Sequence, residues 1–204
     1  RRGLTLHLII HPILAVERGA DGTLAGIAAG ESGAALRESF IHAEVDRIVE
    51  RAERDALAAD IARVLADVRL AVTDWPAMRR RMLEVAAELD AQAPPVKTEE
   101  TAEARAFLRW LADDHFTFIG YRCHDLVAAD GEDALRIVPG SGLGVLREAA
   151  GQGAASSFAA LPPEVRAGAR TPDLLVVTKA NARSTVHRAR TLDSIGVKRF
   201  DATG

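Results

Sequence analysis

The sequence predicts an α+β protein in which helices pack on antiparallel sheets. Strand-like segments come first, helical segments follow and strand-like segments return, which does not fit the strand-helix alternation of a doubly wound parallel sheet. Asp21-Gly22 and Asp130-Gly131 each separate two strand-like segments, as in antiparallel hairpins. We therefore expect two modules joined by helices: a first module over residues 1–73, connecting helices over 74–114, and a second sheet module over 115–204 that continues beyond the chain.

Alternating hydrophobic residues predict the first strands. They occupy every second position in Leu4, Leu6, Leu8 and Ile10. This spacing is the period of a half-buried strand. A similar segment over 13–18 follows Pro12, which has no N–H to donate and therefore predicts a sheet edge or a bulge. Residues 23–27 predict the return strand of the first hairpin, and 40–48 alternate again and predict one further strand.

Helical periodicity replaces this alternation in the middle of the chain. Hydrophobic residues recur three and four positions apart over 57–72 and again over 78–89. We predict two separate helices here, because Asp74-Trp75-Pro76 interrupts the pattern and proline suits the first turn of a new helix. A linker over 91–96 follows, and Thr98 is expected to cap a third helix.

Strand-like patterns return in the last ninety residues. Aromatic and β-branched residues over 116–123 predict a strand, and 135–138 predict the return strand of the second hairpin. Small and polar residues over 149–157 predict a mobile loop. Residues 197–200 predict the last strand.

Composition and charge exclude several classes of protein. Hydrophobic residues make up 48% and charged residues 27% of the 204 residues, as in a folded soluble protein. A net charge of −3 argues against nucleic-acid binding by the whole chain. The single cysteine, Cys123, excludes an internal disulfide and a zinc site of several thiolates, and fits a cytoplasmic location. No apolar run is long enough to predict a membrane span.

Basic residues concentrate near the end of the chain. Six Lys or Arg residues and one His lie between Lys179 and Arg199, against one acid, Asp193. The pattern predicts a hairpin with strands over 174–178 and 184–187 and a turn over 180–182. Guanidinium groups suit carboxylates and phosphates, and a charge run also fits a solvated face. The candidate contacts with an anion or with an acidic neighbouring domain are Lys179, Arg183, Arg188 and Arg190.

Two other patterns invite catalytic or cofactor interpretations that the spacing disfavours. Gly140-x-Gly-x-Gly144 lacks the third glycine and the following helix of a dinucleotide fingerprint, so a hairpin loop is the better prediction. Ser184, His187 and Asp193 have the residue types of a hydrolytic triad. Residues 184 and 187 of one strand would point to opposite faces, however, and a triad is defined by its geometry.

Histidines on neighbouring predicted strands raise the question of a metal site. Pairing of those strands could bring His7 near His42, with Glu44 close by. No ligand-spacing motif supports a metal. Polar residues on a sheet surface are the preferred interpretation.

Several segments together resemble one family. The most specific is Thr178-Lys-Ala-Asn-Ala-Arg-Ser-Thr-Val-His-Arg188. The others, in chain order, are His11-Pro12, Glu38–Asp46, Val68–Trp75, Phe116–Tyr121, Gly142–Leu146 and Ile195–Asp201. All of them resemble the N-terminal region of large bacterial NAD-specific glutamate dehydrogenases, and the resemblance covers nearly the whole chain.

The resemblance implies a division of labour within a long chain. These enzymes deaminate glutamate to 2-oxoglutarate with NAD, and their catalytic and NAD-binding residues lie far C-terminal to this region. We therefore expect no catalytic, cofactor-binding or metal-binding residue here, with NAD bound elsewhere in the parent. The region resembles ACT-like regulatory modules, which have a ferredoxin-like core, often bind amino acids and often pair across subunits. We expect residues 1–73 to be ACT-like.

The expected function is a non-catalytic regulatory or scaffolding fragment of such a dehydrogenase. Its expected partners are the rest of the parent chain, other subunits of a homo-oligomer and an amino-acid effector, with no nucleic acid and no membrane. A free-standing ACT-type amino-acid-sensing module is the alternative. A third hypothesis, an enzyme in its own right, would require glutamate-dependent NADH production by these 204 residues alone.

Overall fold

The computed structural model contains antiparallel sheets and two α-helices in its described residues, so the α+β prediction is confirmed. Two compact units divide the chain: unit 1 is Arg1–Ala58 and unit 2 is Ala59–Gly204. Within the described residues, no helix is long and apolar enough to cross a membrane. The structure describes residues 3–28, 36–91, 94–129, 132–147, 171 and 173–200.

Unit 1 is built from short strands in its described part. These are β1 (Leu6–Ile10), β2 (Ile13–Arg18), β3 (Leu24–Ile27), β4 (Leu36–Ser39) and β5 (His42–Val45). β2 lies between β3 and β4 in one antiparallel sheet, and β1 pairs with β5 in another.

The two sheets of unit 1 are consecutive stretches of one bent ladder. β1 and β2 flank Pro12, and their partners β5 and β4 flank Phe40 and Ile41. Pro12 cannot donate a hydrogen bond, but its carbonyl accepts one from the Phe40 N–H at 3.0 Å. The strand predicted over 40–48 is confirmed in part, since β5 covers 42–45, and β4 before it is not among the predicted strands.

The turn between β2 and β3 confirms the first predicted hairpin. Gly22 has a φ of +82°, which glycine adopts without steric cost. The Asp21 carboxylate accepts hydrogen bonds from the Thr23 N–H at 3.0 Å and the Thr23 hydroxyl at 2.7 Å. These bonds lower the pKa of Asp21 and close the turn.

A single long helix, α1 (Arg51–Ala91), replaces the two predicted helices. The unit boundary falls within it, and Pro76 lies in its interior. Proline removes one backbone hydrogen bond and disfavours helix interiors. Ala71, Asp74 and Met78 are buried on both sides of Pro76, so packing keeps the helix continuous where local propensity predicts a break.

The second helix, α2 (Thr98–Trp110), starts where the sequence predicts a third helix. Lys97 holds the N-cap position in extended conformation and makes no side-chain cap bond, so the prediction that Thr98 caps this helix is wrong by one residue. Glu99 and Glu100 lie in the first turn, where the helix dipole favours acids. A wide turn over Leu111–His115 ends the helical region.

In the described part of unit 2, the strands form three antiparallel pairs. The strands are β6 (Gly120–Tyr121), β7 (His124–Ala129), β8 (Glu132–Ile137), β9 (Leu143–Gly144), β10 (Leu175–Arg183) and β11 (Thr191–Val197). β6 pairs with β9, β7 with β8, and β10 with β11. β8 covers most of the return strand predicted over 135–138, but its partner β7 is a strand that the sequence patterns do not predict. The strand predicted over 116–123 is reduced to β6, which pairs with β9. The turn predicted at Asp130-Gly131 lies outside the described residues, and the strand predicted over 197–200 overlaps β11 only at Val197. The mobile loop predicted over 149–157 lies outside the described residues.

Helices and strands of unit 2 share one hydrophobic core. Side chains of α1 and α2 pack in this core together with Leu174, which directly precedes β10. The buried cluster consists of Met78, Val85, Ala86, Leu89, Ala104, Leu108, Leu111, Phe118 and Leu174. The C-terminal half of α1 is therefore fixed by burial, and it supports the strands that carry the basic residues.

Candidate functional site

The basic residues lie on the β10–β11 hairpin, whose connection differs from the prediction. Lys179 pairs with Asp193 and Arg183 with Thr191, so three residues of β10 oppose one residue of β11. Residues 180–182 therefore form a bulge within β10, and the turn predicted there is wrong. Residues 184–187 are not a strand, and they belong to the connection between β10 and β11.

We define residues 183–190 as the basic loop. The Ser184 N–H donates to the Arg190 carbonyl at 2.8 Å and closes the loop at its base. The Arg183 guanidinium donates to the Ala189 carbonyl at 2.9 Å and bridges it from one side. The loop ends are therefore tied together by main-chain and side-chain bonds.

Two buried residues anchor the basic loop to the body of unit 2. Ser184 and Val186 are both buried, and the Ser184 hydroxyl donates to the Val186 carbonyl at 2.5 Å. Between them, the exposed Thr185 donates its hydroxyl hydrogen to the Asp67 carboxylate of α1 at 2.6 Å. The loop is thus fixed to the helix from within unit 2.

The tip of the basic loop has a strained backbone. His187 has a φ of +65°, and the Arg188 N–H donates to the Val186 carbonyl at 2.8 Å. A bond of this span around a positive φ is a γ-turn, an uncommon and strained conformation for a side-chain-bearing residue. The Arg190 N–H then donates to the Arg188 carbonyl at 2.7 Å. Two successive tight turns hold the loop in one shape.

The four predicted contact residues share this hairpin but differ in their surroundings. Lys179 forms an ion pair with Asp193, and Arg183 bonds to the loop backbone. Arg188 and Arg190 are exposed, and neither forms an ion pair with any residue that the structure describes. Their role as anion or interface contacts stays a prediction.

A second feature, which we name the charged cleft, has no counterpart in the sequence analysis. It has a volume of about 310 Å³ and lies between α1 and the turn before β9. Arg81 pairs with Glu84 at 2.7 Å, and Arg199 pairs with Glu88 at 2.7 Å. The ionisable groups of its rim therefore neutralise each other. No sequence spacing could reveal it, because its residues are spread from position 81 to position 199.

Tyr121 and Cys123 line the inside of the charged cleft. The Tyr121 hydroxyl lies 2.9 Å from the Cys123 sulfur. Burial, and then the contact with Cys123, raises the pKa of the tyrosine well above its usual range. The Tyr121 hydroxyl is thus a weaker acid here than in water. Cys123 itself is half-buried and forms no disulfide.

A further cavity of about 350 Å³ lies at the start of α2. Its acidic lining residues are Glu100, Glu103 and Asp173. The Glu100 carboxylate accepts a hydrogen bond from the Leu174 N–H at 3.3 Å and joins α2 to the segment before β10.

The glycine-rich segment serves as a tight connection clamped by Asp74. Gly144 has a φ of +61°, and a Cβ there would lie 2.2 Å from the Ile119 carbonyl oxygen. Its N–H donates to the Asp74 carboxylate at 2.8 Å, and Arg147 donates to the same carboxylate at 3.0 Å. The Arg147 bond, followed by the Gly144 bond, lowers the pKa of Asp74. The loop amide is therefore committed to the protein itself.

The remaining candidate groups are also bonded within the fold. His7 contacts Asp46 at 2.8 Å, whereas His42 contacts Glu44 at 3.4 Å, so the two histidines have separate carboxylate partners. Among the described residues there is no cluster of His, Cys, Asp or Glu that could hold a metal ion. Ser184 is buried and bonded to the backbone of Val186, which leaves it without the exposure of a nucleophile.

Comparison with known proteins connects the chain to one group. Residues 1–61 match the family described as "Glutamate dehydrogenase, ACT1 domain". The chain is 34% identical over 207 residues to the NAD-specific glutamate dehydrogenase of Halomonas elongata, and 34% identical over 208 residues to that of Pseudomonas aeruginosa. It is 30% identical over 154 residues, 72% of its length, to that of Mycobacterium tuberculosis. No solved structure matches the chain.

The matches cover the chain and a small part of each relative. The whole chain aligns with the first two enzymes but spans 13% of their length, and the third alignment spans 9% of its enzyme. The similarity to the N-terminal region of large NAD-specific glutamate dehydrogenases, inferred from the quoted segments, is thus confirmed, and residues 1–61 fall within their ACT1 domain family.

Proposed function

We propose that this chain is a non-catalytic regulatory or scaffolding part of an NAD-specific glutamate dehydrogenase. The observation that carries the proposal is the 34% identity of the whole chain to a segment that makes up 13% of the length of each of two such enzymes. Binding of NAD and deamination of glutamate to 2-oxoglutarate then belong to the remainder of the parent.

The chemistry of the described sites supports a non-catalytic role. In the charged cleft the arginines pair with glutamates, and the Tyr121 hydroxyl contacts the Cys123 sulfur. In the glycine-rich connection the Gly144 amide bonds to Asp74, so it is not offered to a phosphate. Mutual bonding of this kind satisfies the polar groups of a folded protein, as a structural role requires.

Exposed hydrophobic side chains in unit 1 support a role as part of a larger assembly. Its strands carry large apolar residues in water, among them Ile13, Ile27 and Leu36. Apolar surface of this extent is typical of protein packed against further protein. We propose that unit 1 contributes to an ACT-like, ferredoxin-like module that is completed and paired within a homo-oligomer.

The ACT1 match also bears on regulation and location. We propose an amino acid as the effector of the parent enzyme, acting through the module to which residues 1–61 belong. A cytoplasmic location is supported by the unpaired Cys123, since a reducing compartment keeps such thiols free.

The proposal is tested by separating the chain from its parent. NADH formation from glutamate is followed spectrophotometrically for the isolated chain, for the complete parent enzyme, and for the parent lacking residues 1–204. The expected result is no turnover by the isolated chain, turnover by the complete enzyme, and changed assembly or regulation in the truncated one. Glutamate-dependent NADH formation by the isolated chain would overturn the proposal.

A free-standing ACT-type amino-acid-sensing module is the second candidate, favoured by the ACT1 match of residues 1–61. Calorimetric titration of the isolated chain with a panel of amino acids separates the two. Micromolar binding without any parent enzyme supports the sensor. Absence of binding, together with an active parent, supports the scaffold.

A further inference from the structure

We infer that the basic loop docks on an acidic protein surface, rich in Asp and Glu carboxylates, elsewhere in the same long polypeptide. This inference rests on the proposed function, since it assigns one contact of the chain within its parent. Of the two contacts expected for the basic residues, an anion and an acidic neighbouring domain, we infer the second.

The basic loop is held in one conformation by hydrogen bonds within it and to α1. Its base is closed by the bond from Ser184 to Arg190, and Thr185 is bonded to α1 through Asp67. Strained backbone such as that of His187 persists only where its surroundings fix it, and it concentrates at functional sites. A loop fixed before contact loses little conformational entropy on docking.

The basic loop also carries positive charge that no acid in the described part of the chain neutralises. Among the described residues, the acids bonded to the loop and to its hairpin are already engaged, because Asp193 pairs with Lys179 and Asp67 accepts the Thr185 hydroxyl. Arg188 and Arg190 are exposed and have no ion-pair partner within the described part of the chain. Each guanidinium can grip a carboxylate with two parallel hydrogen bonds. The loop therefore presents two unpaired forked donors in a chain whose net charge is −3.

The shape of the surface also favours this contact. Small ligands bind in concave sites that enclose most of their area. Neither the charged cleft nor the cavity at the start of α2 is lined by a residue of the basic loop. The side chains from His187 to Arg190 are exposed and outside both of these cavities, which suits contact with a surface.

Nucleic acid fits these observations less well than acidic protein. Single-stranded nucleic acid is bound by stacking on aromatic residues, and the loop has no Phe, Tyr or Trp. Duplex binding depends on many phosphate contacts, and the loop offers only two unpaired arginines. A parent of which the chain spans 13% has ample further surface on which carboxylates could face the loop.

Zero-length crosslinking tests the inference in the complete parent enzyme. The variant R188K/R190K keeps both charges and adds amines that a carbodiimide couples to touching carboxylates. The control variant R63K/R69K places two amines on the exposed face of α1. Crosslinked peptides are identified by mass spectrometry, and only links to carboxylates outside residues 1–204 are counted.

The expected result is about tenfold more such links from the loop variant than from the control, because complementary charge raises the local concentration of carboxylates at the loop. The links should decrease as salt is added, because screening weakens the attraction. Equal yields in the two variants would overturn the inference. So would links that persist unchanged at high salt.

Two competitors, added separately to the crosslinking reaction, test whether the loop binds phosphate or nucleic acid instead. Inorganic phosphate or a short oligonucleotide, each at matched ionic strength, should leave the links unchanged. Selective loss with either one would assign the loop to phosphate or to nucleic acid and overturn the inference. NADH formation from glutamate by the same preparation is measured in parallel: a parent without this activity contradicts the proposed function, whatever the crosslinks show.

Discussion

Units 1 and 2 differ in how much of their hydrophobic side chain they bury. In the described part of unit 1, Val16 is the one buried residue, while Ile27 is 66% exposed and Ile13 60% exposed. In unit 2, Met78, Leu108 and Leu174 are almost completely buried in a shared core. Both units nevertheless form antiparallel ladders, with register shifts in each.

The difference separates what defines a strand from what stabilises it. Backbone bonding and alternation define the strands of unit 1 even though little lies over them. Stability comes mainly from apolar burial, which unit 2 has and the described part of unit 1 lacks. Unit 2 should therefore resist unfolding by itself, whereas the stability of unit 1 should depend on the protein that covers its sheets.

Truncation of matched leucines should give the largest contrast. Leu108→Ala in the core should lower the free energy of unfolding of unit 2 by about 2–5 kcal/mol, because it leaves a cavity. Leu8→Ala on the exposed strand β1 should cost less than about 1 kcal/mol. Both tryptophans, Trp75 and Trp110, lie in unit 2, so their fluorescence during denaturation reports unit 2, and amide exchange of β1 reports unit 1. Equal costs at the two positions would contradict the comparison.

Glycines with positive φ offer the next contrast. Gly144→Ala should destabilise unit 2 by about 2–4 kcal/mol, because it adds a clash with Ile119 to the strain of the left-handed backbone. Gly22→Ala, which has no atom within 4 Å of the added Cβ, should cost only the strain of about 1–2 kcal/mol. Fluorescence-detected unfolding and amide exchange of the β2–β3 hairpin measure the two effects. A larger cost at Gly22 would refute this account.

The clamp at Asp74 should give an effect of about 1.5–3 kcal/mol. Asp74→Asn removes charge-assisted bonds to Gly144 and Arg147 and should lower the stability of unit 2 by that amount at neutral pH. Because the folded pKa of Asp74 lies below its ordinary value of 3.8, its contribution is present above pH 3.8 and is lost as the pH falls through the folded pKa.

Unfolding experiments across acidic pH check that sign. The difference in unfolding free energy between the unsubstituted chain and Asp74→Asn should shrink as the pH falls below 3.8. The control Asp21→Asn, in unit 1, should leave the unfolding free energy of unit 2 unchanged. A difference that grows towards low pH would show that the clamp does not act through the ionised carboxylate.

Charge reversal in the basic loop should have the smallest effect on folding. R188E/R190E should change the stability of unit 2 by less than about 0.5 kcal/mol, since both side chains are exposed without an ion-pair partner in the described residues. The same change should weaken contacts within the complete parent. Substantial destabilisation of the isolated chain, measured by denaturation, would mean that these arginines support the fold and do not serve an external contact.

Local patterns were sufficient for much of unit 1 and for the ends of elements. Asp21-Gly22 predicts the β2–β3 turn because glycine alone adopts φ near +82° without strain, and Pro12 marks the break in the ladder. The start of α2 near Thr98 follows from the acids of its first turn. Each of these depends on neighbours in sequence, which the sequence displays directly.

Non-local contacts explain the errors. Pro76 predicts a helix break, yet burial of Asp74 and Met78 keeps α1 continuous. The turn predicted over 180–182 is a bulge, because pairing of Lys179 with Asp193 and of Arg183 with Thr191 fixes the hairpin register. Partners that determine these outcomes lie far away or across a ladder, where periodicity carries no information.

By itself the sequence determined the fold class, the concentration of basic charge near the end of the chain and the likeness to one enzyme family. Composition, periodicity and residue identity can all be determined without knowing which distant residues are in contact. Only the tertiary structure decided which cations are paired, that His187 is strained at the loop tip, and that Arg81, Tyr121 and Arg199 line one cleft. These facts depend on distances between residues remote in sequence, and such distances are set by packing.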